Sequence, residues 1–255
     1  MAFSKVMWLP YSYISRIANL VLQRLWHNMH LILNTYYLVV GIACVLESYL
    51  ISSGLWKEYK AFNSSKVKYL AIVVDSEEAY LTSRIVKLVS WLEALGVKHI
   101  CLYDAEGVMK KSKEAIVEKL NKVTILEGAA EKDKLVSQNS MTLEFASFSD
   151  GKEAVAKAAN LLLGTYMKLA ELGGDQEEKI FTEPYMAEAL KATGCNVIEP
   201  DLMLVYGPVR CHHGFPAWRI RYTEIVHMGS LAEMKYGSLI KVIYEFTMVR
   251  QNYGK

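Results

Sequence analysis

The sequence has few cysteines and almost no net charge, and both scarcities exclude classes of protein. Its four cysteines are widely spaced and never form a CxxC pair, so neither a zinc cluster nor a disulfide framework is predicted. We interpret them as buried thiols of a reducing compartment. Lys plus Arg number 29 against 27 Asp plus Glu, a formal charge of +2. With no basic stripe visible, this balance argues against a nucleic-acid partner.

Several motifs of catalysis and metal binding are also missing. No GxGxxG and no GxxxxGK[ST] occurs, so a Rossmann or P-loop enzyme is not expected. The contiguous Cys211, His212 and His213 do not predict a metal site, because adjacent side chains rarely converge on one ion. No Ser/His/Asp triad can be assembled either, and Asp75 with His212 is one of many possible pairs.

One long hydrophobic run is present near the start of the chain. From Leu25 to Leu46 there are 22 residues without a formal charge, close to the roughly 20 that cross a bilayer core. We predict a transmembrane helix at 25–46, and polar side chains in its first half leave an interfacial helix open (His27, Asn28, His30 and Asn34). The run is too long and begins too late for a cleaved signal peptide. Basic residues on its two sides balance, so orientation is not predicted.

The hydrophobic run divides the chain into four predicted parts. Residues 1–24 mix aromatic and aliphatic groups with Arg16 and Arg24, a composition suited to a membrane surface. Residues 25–46 form the span and residues 47–66 a polar linker. Residues 67–255 form a domain.

This domain has the sequence texture of an α/β fold. Short β-branched runs alternate with amphipathic segments, which predicts βαβ units and a mainly parallel sheet flanked by helices. The strands are predicted at 68–74, 97–104, 122–128, 141–149 and 200–207, and the helices at 81–95, 110–120, 150–169, 182–194 and 237–255. Gly96 is expected to close the first helix, and Asp150 with Glu153 to form a capping box.

The residues after the predicted strands carry little recognisable chemistry. Asp75 is followed by Ser76, Glu77 and Glu78. Ser76 is expected to cap the next helix, and the acids suit its first turn. They also make a poor phosphate site, because anions occupy the place where a phosphate would bind. Three arginines could bind a diphosphate or could form ion pairs with surface acids: Arg210, Arg219 and Arg221.

The stretch PDLMLVYGPVRCHHGFPAWRIRYTEIVHM resembles a motif of the cis-prenyltransferases, approximately P-D-L-x-I-R-T-S-G-E-x-R-x-S-N-F-x-x-W-Q-x-x-Y-x-E. The residues that match in order are Asp201, Leu202, Gly207, Arg210, Phe215, Trp218, Tyr222 and Glu224. The run AIVVD resembles the approach to that family's catalytic aspartate, and DGKEAVAKAANLL resembles a further helix. The resemblance covers about residues 67–255 and implies the undecaprenyl diphosphate synthase-like fold.

The departures from the family bear directly on activity. Active members follow the aspartate with Gly-Asn-x-Arg-Arg, whereas Asp75 is followed by Ser-Glu-Glu-Ala. The R-T-S-G-E signature is replaced by Val205 to Pro208, which lacks an arginine, a serine and an acid. A site that cannot hold two diphosphates cannot align the reacting carbons. We therefore expect no catalytic residue in this chain alone, with Asp75 and Arg210 as remnants of a degenerate site.

This pattern is similar to the non-catalytic subunits of heteromeric cis-prenyltransferases, the group of the Nogo-B receptor and plant cis-prenyltransferase-like proteins. The resemblance implies a catalytic partner subunit that binds Mg²⁺ and condenses isopentenyl diphosphate onto farnesyl or longer diphosphates. The product would be dehydrodolichyl diphosphate for protein glycosylation. It further implies an endoplasmic-reticulum membrane location, a cytosolic domain, and an interface that includes residues 150–169 and 222–228.

The same resemblance implies a function for the last residues, VRQNYGK. Animal and fungal members of this group end in Arg-x-Gly close to the terminus, and that tail reaches the partner's isoprenyl diphosphate. The aligned residues here are Asn252, Tyr253 and Gly254, which we predict to contact diphosphate in a shared site. Three alternatives remain open: the same role in rubber synthesis, a membrane scaffold or receptor with an inert tail, and a self-sufficient enzyme.

Overall fold

The computed structural model describes residues 3–60, 66–120, 123–125, 141–171 and 182–249. The chain divides into two compact units, Met1–Leu55 and Trp56–Lys255. The predicted contact residues Asn252, Tyr253 and Gly254 lie outside the described residues.

The first unit is dominated by one long helix, α1, over Phe3–Ser52. It begins before and ends after the predicted span of 25–46. Its part from Tyr13 to Ser52 is long and apolar enough to cross a membrane, with a mean hydropathy of 1.8 in its most apolar window and none of that window buried. By length and composition, this helix could span a bilayer.

The second unit is built on a sheet of six strands in the order β3-β4-β2-β1-β5-β6. Every pairing is parallel, which confirms the predicted sheet. The strands are β1 Tyr69–Val74, β2 His99–Asp104, β3 Val123–Ile125, β4 Met141–Ser147, β5 Leu202–Tyr206 and β6 Glu224–Gly229. Strands β1 and β5 are buried along their whole lengths, as expected for the centre of a parallel sheet covered on both faces.

Helices and short 3₁₀ turns connect the strands. The helices are α2 Thr82–Ala94, α3 Val108–Lys111, α4 Lys113–Leu120, α5 Lys152–Glu171, α6 Glu183–Ala192 and α7 Tyr236–Met248. Helix α2 buries Ile85, Leu88, Val89 and Leu92, the apolar stripe that its sequence predicts. Gly96 follows it with φ of 84°, the left-handed conformation that suits a glycine at a helix end.

Two helix ends differ from the sequence-based expectation. The capping box is formed by Ser147 and Asp150 around a 3₁₀ turn at Phe148–Asp150, and not by Asp150 and Glu153. Asp150 is already engaged, and Glu153 pairs with Lys157 at 3.1 Å. Helix α7 ends at Met248, and Val249 is extended, so the helix predicted over 237–255 ends at Met248 within the described residues.

The connection from β5 to β6 covers one face of the sheet. Its Phe215 is buried in a cluster with Tyr103, Val73 and Val205, and the Tyr103 and Phe215 rings meet edge to face with centroids 5.2 Å apart. This connection therefore runs from the carboxyl end of β5 back to the amino end of β6. It carries the family-like motif across the sheet.

Candidate functional site

Asp75 lies at the carboxyl end of β1, where a parallel α/β sheet usually carries its site. Its N–H donates to the Tyr206 carbonyl at 2.9 Å, and its own carbonyl accepts from Glu78 and Ala79. The N–H of Glu77 donates to Oδ2 of the carboxylate at 3.3 Å. Asp75 thus forms a tight backbone turn at the predicted position.

Gly207 brings the end of β5 directly against Asp75. It has φ of +143°, and a Cβ on it would lie 2.8 Å from Cβ of Asp75. The Gly207 N–H donates to the Gly229 carbonyl at 2.9 Å, and Nε2 of His227 lies 2.8 Å from the Gly207 carbonyl oxygen. No room exists at this point for any side chain between the two strand ends.

His213 fills the space beside the Asp75 carboxylate. Its Nδ1 lies 3.6 Å from Oδ1 of Asp75, within ion-pair distance when the imidazole is protonated but too long for a hydrogen bond. Its Nε2 is buried without a hydrogen-bond partner in the described structure, 3.5 Å from where a Cβ of Gly207 would lie. The structure therefore pairs Asp75 with His213, and not with His212.

The backbone of His213 is held in an unusual conformation. Its φ is 45°, which is uncommon for a residue other than glycine. The Tyr103 hydroxyl donates to its carbonyl at 3.2 Å, and the next residue, Gly214, has φ of 82°. Burial raises the pKa of Tyr103 to about 12, with the Asp104 and Asp150 carboxylates adding to the shift, so this donor stays protonated at neutral pH.

The acidic and hydroxyl groups after Asp75 hold neighbouring loops together. The Glu78 carboxylate accepts from the Ser230 hydroxyl and from the Leu231 N–H, the latter at 2.8 Å. The Ser76 hydroxyl accepts from the Glu106 N–H at 3.3 Å, so the helix-capping role predicted for Ser76 is replaced by a link to the loop after β2. No side-chain hydrogen bond caps α2.

Asp104 performs a similar structural task at the end of β2. Its buried carboxylate accepts from the Val108 N–H at 2.7 Å and from the Met109 N–H at 3.0 Å. It therefore satisfies the free N–H groups at the start of α3. The carboxylate is fully occupied by this chain's own backbone.

Arg219 is buried at the end of the sheet opposite to Asp75. Its guanidinium donates to both Glu144 oxygens at 2.8 and 3.0 Å and to the Tyr69 hydroxyl, while Nε donates to the Ile198 carbonyl. Tyr69 donates in turn to Glu144. Burial raises the pKa of Tyr69 above its usual range. Arg219 is thus a structural residue, with only 2% of its surface exposed.

Arg221, on the surface, pairs with Glu183 at 2.7 Å and with Glu199 at 2.9 Å. Arg221 thus takes the pairing with surface acids that was one of the two expectations, whereas Arg219 pairs with the largely buried Glu144. Arg210 is exposed in the loop after β5, and no ion pair to it is found among the residues that the structure describes.

The edge around Asp75 does not have the chemistry of a Mg²⁺ site. Mg²⁺ prefers several oxygen ligands, whereas Asp75 faces an imidazole and a glycine backbone. Within the described ranges, no group of three or more His, Cys, Asp and Glu side chains is placed to hold a metal ion. We therefore derive no step through a metal on this chain.

Sequence reasoning missed His213, Asp104 and Glu78 as the groups that organise this edge. The signals were present: a glycine after the His-His pair favours a left-handed turn, and an acid after a strand is well placed to bind free N–H groups. Which acid contacts which loop depends on the tertiary fold.

Comparison with known proteins gives related subunits and a related fold. No family model matches the chain. The chain is 26% identical over 200 residues to the dehydrodolichyl diphosphate synthase complex subunit NUS1 of Homo sapiens, covering 72% of this chain and 65% of the relative. It is 23% identical over 206 residues to the subunit of that name in Saccharomyces cerevisiae, covering 66% of this chain and 52% of the relative. The chain thus spans less than two thirds of the length of these relatives.

A solved structure supports the fold. Lavandulyl diphosphate synthase from Lavandula x intermedia superposes with a TM-score of 0.56 at 13% identity, over 76% of this chain and all of that one. At this identity the likeness shows the fold alone, and it confirms the cis-prenyltransferase-like architecture. The chain is thus similar to the NUS1 subunits of dehydrodolichyl diphosphate synthase complexes, and its α/β unit has the cis-prenyltransferase-like fold.

Proposed function

We propose that this chain is the non-catalytic, membrane-anchoring and activating subunit of a cis-prenyltransferase complex. The observation that carries the non-catalytic role is the closed contact between Asp75 and Gly207, with His213 beside it. A diphosphate at this edge would meet the carboxylates of Asp75 and Glu77, and their negative charge would repel it. The carboxylates of Glu78 and Asp104 are already committed to backbone and hydroxyl donors.

The names of the relatives support a shared product. They are subunits of dehydrodolichyl diphosphate synthase complexes, which favours dehydrodolichyl diphosphate for glycosylation over rubber. On this proposal the partner adds isopentenyl diphosphate units to a farnesyl or longer diphosphate and holds the Mg²⁺. The complex would sit in the endoplasmic-reticulum membrane, anchored by α1, with the α/β unit in the cytosol.

Two surfaces of the α/β unit fit the role of partner interface. Strand β6 is at the edge of the sheet, and its Ile225 is 47% exposed, so its edge is available to another protein. Helix α5 exposes Leu163 and Met167, 50% and 54% respectively, one turn apart on one helical face. These elements correspond to the interface predicted at 150–169 and 222–228.

The C-terminal residues Asn252, Tyr253 and Gly254 complete the proposal. We place them at the partner's isoprenyl diphosphate, where Asn252 brings a hydrogen-bond donor without charge and Gly254 permits close approach of backbone N–H groups. Their contribution would explain activation of the partner beyond anchoring.

The test is prenyl transfer from radiolabelled isopentenyl diphosphate in microsomes that lack endogenous cis-prenyltransferase. Four samples are compared: a candidate catalytic subunit alone, this chain alone, both together, and both with Gly254→Ala. The proposal expects activity only in the pair, and a large loss with Gly254→Ala while the two chains still copurify. Activity of this chain alone would establish a self-sufficient enzyme. If the activity of the pair is unchanged by Gly254→Ala, the chain acts only as an anchor or scaffold.

A further inference from the structure

Helix α1 carries a line of polar side chains within its otherwise apolar surface. With 3.6 residues per turn, Gln23, His27, His30, Asn34 and Gly41 fall within about 40° of one line along the helix. The three side chains inside the span, His27, His30 and Asn34, are exposed. We call the four polar residues on this line, together with Gly41, the polar stripe.

Asn34 is the member of the stripe that most needs a partner in a bilayer. At 1.5 Å per residue it lies about 13 Å from Leu25 and about 18 Å from Leu46, near the middle of the span. Its amide has no hydrogen bond within the described part of the chain. A buried polar group without a hydrogen bond is costly in hydrocarbon, and water is absent at that depth.

Three other polar side chains of the span have a hydrogen bond to the helix backbone or lie close to the membrane surface. Thr35 donates to the Leu31 carbonyl at 2.8 Å. Nδ1 of His27 lies 2.7 Å from the Gln23 carbonyl oxygen, so this ring nitrogen donates to the helix's own backbone. Asn28 is about 4.5 Å from Leu25, near enough to the boundary for its amide to reach the headgroups.

The side chains of the stripe are self-complementary. An amide both donates and accepts hydrogen bonds, as does a neutral imidazole, so two parallel copies of α1 can satisfy each other at the same depth. No charged side chain lies between Leu25 and Leu46 to repel a second copy. Gly41 lies on the same line and a Cβ there would meet nothing within 4 Å, so the backbones can approach closely on this side.

From this geometry, and resting on the proposed membrane anchoring, we infer that two copies of this chain associate in the membrane through the polar stripe of α1. The central contact is a hydrogen-bonded pair of Asn34 amides. In a complex, this association would bring two catalytic subunits together, each bound to one of the two paired copies of this chain.

The test uses the full chain in microsomes, with two differently tagged copies and oxidative cross-linking through a cysteine at Gly41. Cys44 is replaced by alanine throughout, and a sample without the Gly41→Cys change gives the background from the remaining cysteines. The inference expects a disulfide-linked dimer that contains both tags. It also expects Asn28→Ile, which removes an amide near the boundary and away from the stripe, to leave the yield unchanged.

A matched control exchanges two residues without changing composition. In Ile32→Asn/Asn34→Ile the amide stays at nearly the same depth but moves to the opposite side of the helix. The cross-linked yield should fall about fivefold or more, the factor expected for one interhelical hydrogen bond of typical strength. Asn34→Gln, which keeps the amide on the stripe, should retain most of the yield.

Three results would overturn the inference: no dimer through Gly41→Cys, an unchanged yield in the exchange variant, or cross-linking to a different protein in place of the second copy. Carbonate extraction of the same microsomes separates this failure from that of the anchoring proposal. A chain that resists extraction but does not cross-link contradicts only the pairing. A chain released by carbonate contradicts both the anchoring and the pairing.

Discussion

Nδ1 of His213 lies 3.6 Å from Oδ1 of Asp75, so an imidazole of the chain itself lies beside the residue that resembles the catalytic aspartate of active cis-prenyltransferases. Gly207 closes the other side of the same aspartate. The sheet edge therefore keeps the fold, while the chain's own backbone and an imidazole lie against Asp75. This arrangement supports the proposed non-catalytic role.

Gly207→Ala should destabilise the α/β unit by about 1–3 kcal/mol. The new Cβ would lie 2.8 Å from Cβ of Asp75, at a φ of +143° that side chains rarely adopt. Thermal unfolding of the full chain in detergent measures the loss. The control is Gly164→Ala in α5, where nothing lies within 4 Å of the added Cβ, and which should be neutral or stabilising by up to about 1 kcal/mol. Equal stability of the two variants would contradict the closed contact.

Glu144→Ala should cost about 3–5 kcal/mol, because it leaves the buried Arg219 guanidinium without its carboxylate. Glu153→Ala, which removes the exposed partner of Lys157, should change the free energy of unfolding by no more than about 1 kcal/mol. Urea unfolding compares the two. A similar small effect for both would show that Glu144 and Arg219 are not a desolvated pair.

The stability of the α/β unit should fall as the pH rises above about 9. Burial raises the pKa of the Cys101 thiol from 9.0 to about 12, so the folded state keeps its proton while the unfolded state loses it. Between those pH values the unfolded chain binds fewer protons, and unfolding becomes more favourable by about 1.4 kcal/mol per pH unit at most. Cys101→Ala should flatten this dependence between pH 8 and 10, measured by urea unfolding. A slope identical to that of the parent chain would contradict the burial effect.

Ile225→Lys should weaken copurification with the catalytic partner about tenfold or more, because it places a charge at the exposed edge strand. Ile198→Lys is the matched control, since Ile198 is 63% exposed outside the proposed interface. Loss of partner binding by both variants, or by neither, would argue against the β6 edge as the interface.

Much of the fold could be predicted from local patterns, and the contacts at the strand ends could not. The apolar runs of β1 and β5 can be recognised in the sequence because burial on both faces requires apolar residues throughout. The apolar stripe of α2 can be recognised because burial on one face requires them at helical spacing. The capping box formed by Ser147 and Asp150 was not predicted, because Asp150 both precedes helix α5 and closes a 3₁₀ turn. Sequence spacing alone does not distinguish these two roles. The pairing of Asp75 with His213, in place of His212, depends on a positive φ that only the packed loop enforces. The tail at Asn252 to Gly254 lies outside the described residues, so its role stays a prediction.

On the proposed function, the site at this chain's own strand ends takes no part in turnover. The most direct measurement is the kcat/KM of the reconstituted complex with Asp75→Asn in this chain, which removes the charge at nearly constant volume. We expect a value within about twofold of that of the parent complex. A loss of about a hundredfold or more, the size expected for removing a catalytic acid or base, with both chains still copurifying, would contradict it.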